Sequence, residues 1–130
     1  MSCSGIQSTV NLCTMREAQL TNELTDIMTN ITQACRETSD LATITSSARE
    51  SIEGDKTLTD DAKYKALDKV QDDYELNLAK ISSWENELEI QKKQKETEIQ
   101  ATSSYKESFM SALKQNVQKD YKYGGSGSGS

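Results

Sequence analysis

The side chains with most chemistry to offer are three cysteines, Cys3, Cys13 and Cys35, and two runs of acid, Asp60-Asp61 and Asp72-Asp73-Glu75. A nucleophilic cysteine needs a base beside it, and the chain has no histidine to serve as one. The thiols stand ten and twenty-two residues apart and are odd in number, which fits neither a disulfide framework nor a zinc site. They read as small apolar residues on or beside a buried stripe. Asp60-Asp61 is accounted for by a helix start and Asp72-Asp73 by a solvated face; neither forms a paired-carboxylate setting for acid–base work. No phosphate loop, dinucleotide fingerprint, HExxH, CxxC or calcium-loop spacing occurs. No catalytic, cofactor-binding or metal-ligating residue is assigned, and no enzyme is expected.

The aromatic residues are the other candidates, because they dominate contacts between subunits. Tyr74, Trp84, Tyr105 and Phe109 fall on or next to an apolar stripe, while Tyr121 and Tyr123 cluster with Lys119 and Lys122. What they do depends on the elements that carry them. Leu, Ile, Val and Phe together are 22 of 130 residues, there is no proline, and residues 1–123 hold two glycines. A sandwich or an α/β core needs more bulk and more turn formers than that. A long helical protein does not, since it buries only a narrow stripe.

In residues 1–53 the stripe has two registers. One reads Ile6, Cys13, Leu20, Ile27, Ala34, Leu41, Ala48; the other reads Val10, Glu17, Leu24, Ile31, Thr38, Thr45, Ile52. Only Glu17 among these is charged. The seven-residue repeat is that of a helix laid along another helix, thinning toward Ala48 as the residues become small. The pattern predicts helix one over about 6–53, a turn over about 54–58 and helix two over about 59–121. Gly54 is the expected left-handed residue ending helix one. Thr57 with Asp60, or Thr59 with Asp60 and Asp61, caps helix two. Helix two carries Leu67, Val70, Tyr74, Leu78, Ile81, Trp84 and Leu88, fades to Lys95 among lysines and glutamines, and resumes at Ile99, Thr102, Tyr105, Phe109, Leu113 and Val117. Residues 124–130 are a Gly/Ser linker scar rather than fold.

The fold class expected is therefore all-α: one domain over 1–123, a long antiparallel helical hairpin resembling a coiled coil and completed by oligomerisation. Its seam would be Leu20, Leu24, Ile27, Ile31 and Leu41 against Tyr74, Leu78, Ile81, Trp84 and Leu88. Helix two is the longer, so its last ten to fifteen residues would overhang and expose an apolar strip. Tyr105, Phe109, Met110, Leu113 and Val117 are then the expected subunit contacts, with Met28, Cys35, Ala42 and Ile90 on a second face.

Acidic residues number 21 and basic residues 15, a net charge of −6, which disfavours nucleic acid as a partner. No run of apolar residues is long enough to span a membrane, and Met1-Ser2-Cys3-Ser4-Gly5 does not begin a secretory signal. A Ser/Thr/Gln-rich helical hairpin with an apolar C-terminal helix resembles the needle, rod and filament subunits of type III secretion and the terminal helices of flagellin. The resemblance spans residues 6–123 in architecture. The turn here is Gly54-Asp55-Lys56, where needle subunits carry a proline, and the chain is longer than theirs. It implies a structural protein that assembles with copies of itself into a filament or tube, exported without a cleaved signal and placed outside the cell or at its surface. The rival readings are a cytoplasmic export chaperone or coiled-coil adaptor that covers another helical protein, and a closed four-helix-bundle homodimer.

Overall fold

The computed structural model describes residues 2–129, with side chains for residues 2–119. It holds two long α-helices packed against each other and, among the described residues, no strand, so the protein is an all-α helical hairpin. The first, α1, is Cys3–Glu53, and the second, α2, is Asp60–Gly129.

Helix α1 begins three residues earlier than the pattern suggests because Ser2 caps it. The Ser2 hydroxyl accepts from the Gly5 amide at 3.1 Å, and the Ser2 carbonyl accepts from the Ile6 amide at 2.9 Å. Two otherwise orphaned first-turn donors are thereby satisfied. Along α1, seven threonine hydroxyls (Thr9, Thr14, Thr21, Thr25, Thr32, Thr38 and Thr43) donate to the carbonyl four residues back at 2.8–3.2 Å. Threonine is a modest helix former, and in α1 its hydroxyls join the helical bonding pattern in place of competing with it.

Gly54 does not take the left-handed conformation expected of it: no described glycine has a positive φ. Its amide still donates to the Glu50 carbonyl at 2.9 Å, so the helical ladder runs through it and the chain turns afterwards. The turn is made by Asp55, whose carboxylate accepts from both the amide (2.9 Å) and the hydroxyl (2.6 Å) of Thr57. These bonds, the hydroxyl's foremost, hold the Asp55 carboxyl below its ordinary range. Of the two caps open to α2, Thr59 is the one used. Its hydroxyl accepts from the Ala62 amide at 3.1 Å, and Asp60 and Asp61 lie on the positive first turn. The Lys63 ammonium reaches back to the Glu53 carbonyl at 3.2 Å and closes the C-terminal end of α1.

The backbone of α2 continues eight residues past the expected end near Tyr121, with neither a proline nor a left-handed glycine to stop it. The Gly/Ser tail at 124–130 and the expected Tyr121, Lys122 and Tyr123 cluster lie outside the residues whose side chains are described.

The chain divides into two compact units. One, Asp26–Lys92, contains the turn and the helical segments on either side of it. In it Ile27, Ala34, Thr45 and Leu88 are buried, and Ile31, Leu41, Ile52, Leu67, Val70, Tyr74, Leu78, Ile81 and Trp84 are half-buried. Arg49 donates to the Gln71 amide oxygen between its two helical segments. The other, Met1–Thr25 with Lys93–Ser130, joins the start of α1 to the later part of α2. There Ile6, Val10, Cys13 and Leu20 are buried, Leu20 completely, and Leu24 is half-buried. Fully burying a leucine contributes about 1.5–3 kcal/mol.

Candidate functional site

Within the terminal unit, α1 and α2 run antiparallel and are tied by three ion pairs. Arg16 meets Glu98 at 3.2 Å, Glu23 meets Lys95 at 2.8 Å and Glu17 meets Lys106 at 3.7 Å. The α2 partner falls from Lys106 to Lys95 as α1 advances from Glu17 to Glu23, which gives the direction, and the three pairs together give the approximate register. Lys95, where the apolar stripe fades, is thus a seam residue facing α1. Hydrogen bonding and charge from Lys95 hold the Glu23 carboxyl below its ordinary value of 4.5. The same bond to Glu23 leads the causes that raise Lys95 above 10.5. Glu17 Oε1 is buried without a hydrogen-bond partner, and the buried Glu23 Oε2 is met by its ion pair with Lys95.

Residues of both helices beside this seam line a shallow apolar groove of about 550 Å³. Thr9, Leu12, Cys13 and Arg16 line it from α1, at the i, i+3, i+4, i+7 spacing of a single helix face. Ala101, Thr102 and Tyr105 line it from α2. Among these Cys13 is buried, while Leu12 and Tyr105 are 62% and 56% exposed. The Tyr105 ring lies 4.7 Å from that of Phe109, tilted by 59°. Its one charged liner, Arg16, is occupied by Glu98 and by the Gln19 side chain at 3.0 Å. The groove thus offers mainly apolar surface, with one hydroxyl-bearing ring among its lining residues. Among the described residues no group of three metal-ligating side chains is gathered.

The residues expected to make subunit contacts divide here. Tyr105, Met110 and Val117 are exposed at 56%, 49% and 54%; Phe109 and Leu113 are half-buried. The ion-pair register carries residues 109–113 of α2 alongside the first turns of α1, so this part of α2 is paired within the chain. Of the residues expected on a second face, Met28 (49%) and Ile90 (58%) are exposed, as are Cys35 and Ala42. All four lie in the turn-containing unit. That unit has smaller clefts of its own, one of about 250 Å³ among Leu41, Ile44, Ala48, Val70 and Asn77.

Leu12 and Met15, at 62% and 68% exposure, were not singled out by the stripe because they lie outside its two registers. A different signal marks them. Residues 1–15 contain no Asp, Glu, Lys or Arg, where a chain 28% charged would place about four. No protein-family model, curated protein or solved structure matches the chain. Among the described residues, no helix is long and apolar enough to cross a membrane.

Proposed function

We propose that the protein is a structural subunit that assembles with copies of itself, a helical hairpin built for a filament or tube. The observation that carries this reading is the distribution of apolar side chains. Among the described residues seven apolar ones are buried, whereas ten large ones are 49–72% exposed. A folded chain that leaves ten bulky apolar side chains about half exposed or more has further burial to make.

Exposed bulk also occurs in both units: Leu12, Met15 and Tyr105 in one, Ile44, Leu76 and Ile90 in the other. A closed dimer uses one patch twice, whereas growth beyond it requires a second, different contact. A place outside the cell remains part of the proposal through the resemblance to secretion-filament subunits.

Negative-stain electron microscopy with size-exclusion chromatography and light scattering tests the reading. Filaments or tubes that grow with concentration are the expected result. A monomer at every concentration would sink self-assembly, and a particle of fixed small size would return the closed bundle in place of the filament.

A further inference from the structure

We infer that the terminal unit is an acid-released clasp: protonation of Glu17, Glu23 and Glu98 frees the start of α1 from α2 while the two helical segments beside the turn stay paired. The device works within one chain and does not depend on self-assembly.

Its basis is what α2 offers to α1. From Gln91 to Glu98 helix α2 has no apolar residue, and the terminal unit begins on α2 inside this stretch, at Lys93. On α1 the fully buried Leu20 is flanked by Arg16, Glu17 and Glu23. Over these residues the seam is closed largely by charge, with Arg16 on Glu98, Glu23 on Lys95 and Glu17 on Lys106.

Every acid in these pairs is a glutamate, and every base keeps its charge in acid. Protonation therefore removes three attractions and leaves Arg16, Lys95 and Lys106 without the charges they now face. Arg16 already opposes the charge of Lys95, and Glu23 and Glu98 offset that repulsion only while ionised. The sense of the pH effect follows from Glu23, whose carboxyl the Lys95 hydrogen bond holds below its ordinary 4.5. Its contribution is present above that value and is lost as pH falls through the folded one. The turn-containing unit is joined differently. Ile27, Ala34, Thr45 and Leu88 are buried there, and Arg49 donates to the Gln71 amide oxygen, which does not titrate.

Cys13 reports the opening. It is 8% exposed and lies in the terminal unit, while Thr45, also 8% exposed, lies in the other. Two full-length chains are made. One carries Cys3→Ser and Cys35→Ser, which leaves Cys13 as the sole thiol; the other carries Cys3→Ser, Cys13→Ala, Cys35→Ser and Thr45→Cys. Each is reacted in dilute solution with a pyridyl disulfide, and the rate is divided by that of glutathione at the same pH so that thiol ionisation largely cancels. From about pH 7 to about pH 3.5 the relative rate at Cys13 should rise at least about tenfold, the loss expected of three such pairs together. The thiol of the Thr45→Cys chain should stay protected. Adding Glu17→Gln and Glu23→Gln to the first chain should raise the Cys13 rate several-fold already at neutral pH and flatten its pH dependence. A Cys13 thiol that stays protected in acid overturns the clasp. Equal exposure of both thiols means that the hairpin unfolds as a whole, which overturns it too. If the glutamine variant matches its parent at neutral pH while acid still exposes Cys13, these carboxylates are not the trigger and the assignment falls.

Discussion

Glu23 and Lys95 show how much one residue's role depends on a partner distant in sequence. Read along the chain, Lys95 is a gap in a stripe; read across the seam, it is the cation that answers a glutamate 72 positions earlier. Periodicity locates a face but not the residue opposite, so none of the three cross-helix ion pairs was legible beforehand. Glu17 was visible as the single charge in fourteen seam positions, but Lys106 as its neighbour was not. The shifts at Glu23 and Lys95 set a pH window. Glu23 is lowered, so its contribution is present above about pH 4.5 and is lost as pH falls through the folded value. Lys95 is raised, so its contribution is present below about 10.5 and is lost as pH rises through the folded value. Urea unfolding of the wild type and Glu23→Gln should therefore give separate midpoints at neutral pH that converge in acid, with the separation shrinking at high salt. A separation that persists unchanged in acid would mean that the glutamate acts by packing.

At the scale of elements, the two-helix architecture was legible because nothing in the chain competes with it. A seven-residue repeat, no proline and one acid-capped turn leave little else to build. The ends were less legible. Ser2 was overlooked because a cap is a single hydrogen bond with no repeat to announce it. Gly54 was expected to turn left-handed because glycines after helices usually do; here the reversal is delegated to Asp55 and Thr57, and the glycine keeps a negative φ. Two substitutions separate these devices. Thr59→Ala should cost about 0.5–2 kcal/mol by orphaning the Ala62 amide. Gly54→Ala should change stability by less than about 1 kcal/mol in either direction, since no positive φ must be held. The added methyl would meet only the Glu50 carbonyl, at 3.2 Å. Thermal unfolding of both variants checks this, and a loss at Gly54→Ala larger than that at Thr59→Ala would contradict the turn as described.

For the molecule as a whole, folding and assembly draw on neighbouring residues of one helix. Phe109 and Leu113 are half-buried, while Met110 and Val117 stand exposed beside them. Phe109→Ser should therefore lower the melting temperature as well as weaken assembly, whereas Met110→Ser should weaken assembly and leave the melting temperature in place. Circular dichroism and light scattering on the same samples decide it; equal melting temperatures for the two would show that α1 does not lean on Phe109. The groove was not legible in the stripe, since a groove arises between two helices and no single-helix pattern encodes that. The charge-free opening of the chain was legible, yet an absence of residue types draws less notice than a motif.

The seven threonine hydroxyls of α1 give this surface a further property. A hydroxyl that relies on water forfeits about 1–3 kcal/mol when that water is driven off without replacement. Those of α1 already hold a carbonyl of their own helix, and they keep it whether solvent or protein lies outside. The helix is in that sense amphibious: wet, it shows water a polar oxygen with room to accept; dry, it offers a methyl group and no broken bond. A subunit so made can wait in solution and be covered later without changing conformation.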